Sequence, residues 1–232
     1  LRLAREEVEA VIDSFTYDLG WNMLPEAVSN MSGEFVFTTV SGSYFIDIQN
    51  DAETKFCICE ISADGSEYRI VWGGNKPTSE LCGHLMSLGE LLKRNGGRAV
   101  YHCHPSNIVA LSYLLPHNDE VISNALWESI TECAFVFPEG VGVVDFFVPG
   151  SIGLAKATAE KIKDYNAVLW SHHGIFASGD NISSAFGLAH AIEKAAEIKL
   201  KVISSGLNPS NTITKEQQVL TASTYGLKLK EF

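Results

Sequence analysis

The sequence predicts a sheet covered by helices, of the α+β or α/β/α class, on three observations. A first helical segment gives way to runs that alternate like an antiparallel meander, the later segments mix helix-period patterns with short buried strands, and no linker rich in Pro, Gly or Ser separates the two textures. With 232 residues, 46% of them hydrophobic, the chain has ample apolar surface for a large core, and a single domain over residues 1–232 is expected.

Each element has its own local reason. Val8, Val11, Ile12, Phe15 and Leu19 recur at helical spacing over residues 5–19, and Gly20 supplies a stop. Residues 35–40 have a strand composition, Ser41-Gly42-Ser43 turns the chain, and 55–62 and 68–72 alternate about the turn Ala63-Asp64-Gly65-Ser66. Pro77-Thr78-Ser79-Glu80 opens a helix with Leu81, Leu85, Leu88, Leu91 and Leu92 on its apolar face, and Asn95-Gly96-Gly97 ends it. Residues 98–104 read as a strand, followed by Pro105 in the first turn of a helix to 115. Beyond it we expect a helix over 118–129, strands over 134–137 and 142–148, a helix over 152–164, strands over 167–170 and 175–177, a long helix over 183–204 and a last helix after Thr214.

Charge and cysteine usage narrow the function classes. Asp and Glu number 28 against 17 Lys and Arg, so the net charge is −11. Such a surface repels phosphate backbones and anionic bilayers, and the longest basic cluster, Lys199 and Lys201, shares its helix with Glu193 and Glu197. Neither nucleic acid nor a membrane is therefore an expected partner. No run approaches the roughly 18 apolar residues of a spanning helix. No signal-peptide core opens the chain, and the missing initial Met points to a trimmed start. The five cysteines, Cys57, Cys59, Cys82, Cys103 and Cys133, form an odd set without finger-like spacing, mostly in apolar runs. Reduced, buried thiols in a cytoplasmic soluble protein are expected.

The chemistry concentrates in a few residues. His102 and His104 lie two apart on an expected strand, so their side chains leave one face. At that spacing two imidazoles either chelate one divalent ion or are hydrogen-bonded histidines of a half-buried strand. His173, before Gly174 at the end of another expected strand, is a candidate third ligand, while the adjacent His172 diverges toward a different partner. Three histidines with an open fourth position describe a catalytic rather than a structural zinc site. Glu80, directly after Thr78-Ser79 at a helix start, is either a base or a plain capping carboxylate. His84 shares its face one turn on, as a ligand or a helix-surface histidine. Glu128 and Glu132 form an i,i+4 acidic pair beside Trp127, mildly unfavourable unless something uses it.

Taken together, Pro77-Thr78-Ser79-Glu80, His102-Cys103-His104, Leu126-Trp127-Glu128 with Thr131-Glu132-Cys133, and His173-Gly174-Ile175-Phe176 resemble the class II aldolase/adducin family. The likeness runs in one order from about Trp72 to Ser204 and takes in Tyr113, Val136-Phe137-Pro138, Gly140-Val141-Gly142 and Val148-Pro149-Gly150. It implies an α/β fold in α/β/α layers, a central, mostly antiparallel sheet flanked by helices, assembled as a fourfold-symmetric homotetramer. It also implies Zn2+ on His102, His104 and His173, with Glu80 as the carboxylate that exchanges a proton with the dihydroxyacetone phosphate carbon and Glu132 near the aldehyde end. The implied reaction is reversible cleavage of L-rhamnulose 1-phosphate to dihydroxyacetone phosphate and L-lactaldehyde. Breaking that bond leaves electrons on a carbon beside a carbonyl, and a Lewis acid stabilises the resulting enediolate.

The family presents a Gly-Asn phosphate turn after the first helix; here the stretch reads Ser29-Asn30-Met31-Ser32-Gly33-Glu34. Asn30, Ser32 and Gly33 are the phosphate contacts this alignment implies, and Glu34 stands where an amide is expected, so its carboxylate must turn away from a phosphate or the phosphate site is altered. Ser43, Thr78 and Ser79 complete the expected donors, with the backbone N–H groups of the Glu80 helix. A pentulose-phosphate 4-epimerase or an aldolase for another sugar phosphate would keep the same histidines. An adducin-like binding domain would persist without the active site, whereas this chain retains all three histidines and Glu80.

Overall fold

The computed structural model describes residues 1–10, 12 and 20–232. They gather into two compact units, Leu1–Ala99 with Phe147–Ala159, and Val100–Phe146 with Glu160–Phe232.

In the first unit, strands β1 (Arg2–Leu3), β2 (Asn22–Met23), β3 (Phe35–Thr39), β4 (Phe56–Ile61) and β5 (Glu67–Gly73) pair antiparallel in the order β1-β3-β4-β5-β2. The period of two sorts β4 cleanly. Ile58 joins Phe35, Val71, Val8 and Ile12 on one face, and Cys57 and Cys59 join Ile70 on the other. All five cysteines are free thiols, and all but the half-buried Cys103 are buried. The helices of this unit include α1 (Arg5–Glu9), α2 (Phe45–Ile48), α3 (Ala52–Lys55), α4 (Leu81–Arg94) and the larger part of a helix over Ile152–Ile162, with a 3₁₀ turn at Ser29–Met31. Val8 and Ile12 lie in the core as their spacing predicts; Val11, Phe15 and Leu19 of the expected first helix lie outside the described residues. Leu85, Leu88 and Leu91 of α4 are fully buried, the stripe that the leucine spacing drew.

The second unit is built on a mixed sheet. Its strands β6 (Ala99–Cys103), β7 (Gly142–Val144), β8 (Ala167–Trp170) and β9 (Gly174–Gly179) run in the order β6-β9-β8-β7, with β8 and β9 antiparallel and β7 and β8 parallel. Around it lie α5 (Ser106–Leu114), α6 (Asp119–Trp127), α7 (Cys133–Val136), the last residues of α8 (Ile152–Ile162), α9 (Ile182–Ser204) and α10 (Lys215–Thr224). On α9 the buried residues include Ala185, Ala189, Ala195 and Ala196, small side chains that let the helix pack closely into a core with Ile175, Ala177, Leu169, Trp127 and Phe137. Asp119, the first residue of α6, accepts from Val143 N–H (2.8 Å), Lys161 Nζ (2.6 Å) and Tyr165 O–H (2.9 Å), tying three segments at one carboxylate.

The α/β class with flanking helices holds, with the described strands divided between two sheets because β6 follows α4 and pairs with β9. Two local expectations are corrected. Residues 134–137, expected as a strand, lie largely in the helical turn α7: a four-residue apolar run fits either period. Here Val136 N–H bonds back to Glu132 O at 2.9 Å, and the Phe137 carbonyl accepts from Trp127 Nε1 at 3.1 Å, which removes it from any ladder. The strand expected over 142–148 ends at Val144, since Asp145 turns out to bond His117 at 2.8 Å.

Replacing Trp127 by Phe should remove one of the two bonds to the buried Phe137 carbonyl, leaving Gly140 N–H at 2.9 Å, and cost about 0.5–1.5 kcal/mol. Urea unfolding reads this as a lower midpoint at unchanged slope; an unchanged midpoint would show that the bond contributes nothing.

Candidate metal centre

Strand β6 carries His102, and His104 follows just past its end, so the two imidazoles leave the same side. Their Nε2 atoms stand 3.1 Å apart, with ring centroids at 4.8 Å. The third histidine arrives on the hairpin between β8 and β9. There Trp170 pairs with Gly174, His173 N–H donates to the Trp170 carbonyl at 3.0 Å, and the His173 ring stacks 5.0 Å from His104. Donor atoms of His102, His104 and His173 all lie within 4.8 Å of one another.

Three features fit this triad to a divalent ion. First, His102 Nδ1 lies 3.0 Å from the Ile175 carbonyl, which can only accept. The proton therefore sits on Nδ1, and the Nε2 lone pair faces His104; a hydrogen bond from the outer nitrogen to a carbonyl is the usual orienting device of a ligating histidine. Second, burial, and then the neighbouring His104, hold the His173 imidazole below its usual pKa, in the neutral form that binds metal. Third, the candidate donors are all imidazole nitrogens, a set suited to a divalent transition-metal ion that keeps a position open. Trp170 lies under His102 at 4.4 Å and under His173 at 5.0 Å, an apolar floor. A cavity of about 280 Å³ opens beside His104, with Tyr101, Phe186 and His190 among its walls.

Gly174 is what allows the crowding. A Cβ there would meet the Cys103 carbonyl oxygen at 2.4 Å, His104 Cδ2 at 2.9 Å and His102 Cε1 at 3.1 Å. Glu193 of α9 fixes the segment on the other side of His104, accepting from Asn107 N–H (3.0 Å), Asn107 Nδ2 (2.7 Å) and Ile108 N–H (2.9 Å) at the start of α5.

In the first unit, Glu80 stands directly before α4, 9% exposed, with no side-chain bond capping its own helix, and burial lifts its carboxyl to about 7. Its N–H donates to Thr78 Oγ1 at 3.4 Å. The six expected phosphate contacts fall in two groups. Backbone bonds from Thr78 N–H to Thr39 O and from Ser41 N–H to Lys76 O bring the Ser43 turn beside Thr78 and Ser79, where Ser43 Oγ donates to Lys55 O at 3.2 Å. Asn30 instead packs against Gly89, two turns into α4, with Ser32 Oγ donating to Ser29 O at 2.8 Å and Gly33 at positive φ. Glu34 is paired with Arg2 at 3.1 Å.

Of the remaining candidates, His84 is half-buried on α4 and held neutral, with burial pulling its pKa to about 3. Glu128 is paired with Lys199 at 2.9 Å, whereas Glu132 is exposed at the start of α7. His172 turns to Tyr113 and His117. Sequence reasoning missed His117, Asp145, Ser112 and Glu193; no spacing rule links a loop histidine to an aspartate past a distant strand.

Gly174→Ala should push the Cys103 carbonyl and both rings apart and lower zinc uptake at least about tenfold in equilibrium dialysis. Wild-type uptake in this variant would mean the close approach is not needed.

The family model for the Class II Aldolase and Adducin N-terminal domain matches residues 22–200. A rhamnulose-1-phosphate aldolase from Yersinia pestis is 37% identical, across 97% of this chain and 84% of that protein. Another from Klebsiella pneumoniae is 34% identical, across 98% and 84%. A sugar-phosphate aldolase structure from Thermotoga maritima superposes with a TM-score of 0.72 at 33% identity, covering 83% of this chain and 82% of its own. Matched through its histidine strand, its hairpin and nearly its whole length, the chain belongs to the class II aldolase and adducin family.

Proposed function

We propose that the chain is a zinc-dependent aldolase that reversibly cleaves L-rhamnulose 1-phosphate to dihydroxyacetone phosphate and L-lactaldehyde. The observation that carries the reading is the convergence of three imidazoles within 4.8 Å, in a family whose class II aldolases are metal-dependent. The substrate follows the names of relatives at 34% and 37% identity. The proposed form is a cytoplasmic homotetramer; no described helix is long and apolar enough to cross a membrane.

His102, His104 and His173 would hold the ion as neutral ligands, and a bound ion supplies Lewis acidity toward the ketose carbonyl and the charge that develops beside it. The proton transfers fall to carboxylates. In cleavage Glu132 accepts the proton of the C4 hydroxyl as the C3–C4 bond breaks, and the bonding pair stays with C3. Protonated Glu80 then delivers its proton to C3, and in condensation it takes the same proton back. A carboxyl lifted to about 7 is suited to both directions, since it neither binds nor releases its proton too firmly near neutral pH. The substrate phosphate is assigned to the start of α4, where first-turn N–H groups and the helix dipole favour an anion, with Ser43, Thr78 and Ser79 as hydroxyl donors. Asn30, Ser32 and Gly33 are assigned to the same phosphate on the family resemblance alone.

Zinc-loaded protein given L-rhamnulose 1-phosphate should release dihydroxyacetone phosphate, and a chelator should stop it. His102→Ala and His173→Ala should lose both zinc and turnover. Glu80→Gln should keep its zinc while kcat falls by about 10²–10⁴. No triose phosphate from zinc-replete wild type would sink the substrate assignment, and full turnover in Glu80→Gln would remove Glu80 from the chemistry.

The raised carboxyl also predicts a pH-dependent stability. Because Glu80 titrates near 7 folded against 4.5 in its unperturbed state, the folded chain holds an extra proton between these values, and stability falls as pH rises through the window. Metal-free Glu80→Gln should therefore melt about 2–4 °C above metal-free wild type at pH 8, with the gap closing below pH 5. Equal melting at pH 8 would mean that burial imposes no such cost.

A further inference from the structure

The hairpin that delivers His173 contains a residue whose backbone does not suit it. His172 adopts φ +62°, and among the described residues it is the one non-glycine at positive φ. There Cβ crowds the backbone, so glycine or asparagine usually takes such positions.

Contacts from α5 and the loop after it hold His172 in place. Its N–H donates to Ser112 Oγ at 3.0 Å, and that buried hydroxyl donates its own hydrogen to the Val109 carbonyl at 2.7 Å, so a lone pair is left for His172. The His172 ring lies 4.2 Å from Tyr113 and 4.9 Å from His117. His117 is fixed at both ring nitrogens, Nδ1 by Asp145 Oδ1 at 2.8 Å and Nε2 by the Ser112 carbonyl at 2.9 Å. From the other side, the bond from His173 N–H to the Trp170 carbonyl closes the turn at 3.0 Å. An unusual backbone conformation, directly before a candidate ligand, is thus over-determined by several independent contacts.

We propose that Ser112 and His172 are positioning residues of the metal centre. The Ser112 hydroxyl and the Tyr113–His117 pair lock His172 in the left-handed region, and that backbone sets the direction in which His173 presents its imidazole to His102 and His104. The inference rests on the metal reading given above. A glycine at 172 would reach the same φ without strain but would populate others as well, so the direction of His173 would no longer be fixed.

The test titrates metal-free protein with Co2+ against a chromophoric chelator and records the visible absorption of the bound ion. His172→Gly and Ser112→Ala should each weaken Co2+ binding about tenfold and alter the absorption bands, while Ser112→Thr, which keeps the oxygen, should stay within about twofold of wild type. In His172→Gly the relief of strain offsets the lost ring contacts and the added chain entropy, so its metal-free melting temperature should stay within about 3 °C of wild type, and weakened binding there reports the ligand geometry rather than a loosened fold. Wild-type affinity and bands in both His172→Gly and Ser112→Ala would overturn the positioning role alone. A wild-type chain that takes up no Co2+ would overturn the metal centre and this inference with it.

Discussion

At residue 174 the backbone of β9 runs so close to the chain leaving β6 that no side chain fits between them. The rest of the candidate centre depends on that approach. It lets the Ile175 carbonyl reach His102 Nδ1, and it brings His173 of the hairpin within reach of His102 and His104. Closely spaced imidazole lone pairs repel, so the arrangement needs a rigid support. The core beneath supplies it, with Ile175 and Ala177 of β9 packed among Ala189, Ile192 and Ala195 of α9. A cation held between the rings would relieve the repulsion, which is how metal affinity and fold stability become linked.

Burial acts on the two proposed kinds of functional group in opposite chemical senses. It disfavours charge on both, so the His173 imidazole loses its proton more readily while the Glu80 carboxyl keeps its own. The first is ready to ligate without first shedding a proton. The second can still donate one at neutral pH, where an exposed glutamate is already ionised. One physical cause, the removal of water, prepares a ligand and an acid at different places in the chain.

Much of this was legible in the sequence, and the exceptions share a cause. The period of two placed His102 and His104 on one side of β6, and leucines at helical spacing drew the buried face of α4. Residues 134–137 misled because four apolar residues carry no period, and the deciding interaction, Trp127 Nε1 on the Phe137 carbonyl, comes from another element. The sequence offered no structural reason for Gly174, because that reason is a tertiary contact with Cys103 and His104. The support of His172 was invisible for the same reason, since Ser112, His117 and Asp145 come from a helix, a loop and a strand end. Local pattern announces faces; it does not announce which faces meet.

The charge balance constrains how a phosphorylated substrate can be held. A chain at −11 repels a phosphate dianion at long range, yet the donors proposed for that phosphate are hydroxyls, one amide and backbone N–H groups rather than lysine or arginine. At physiological salt the repulsion is screened beyond about 8 Å, so attraction inside that distance decides binding. At the proposed phosphate site the start of α4 would supply it through partial positive charge that costs no reorganisation, provided that nearby carboxyls are neutral or turned aside. Glu80 meets the first condition below its raised pKa, and Glu34, drawn onto Arg2 at 3.1 Å, meets the second. In the proposed site the departure at position 34 would therefore be accommodated by an ion pair that keeps the carboxylate occupied elsewhere.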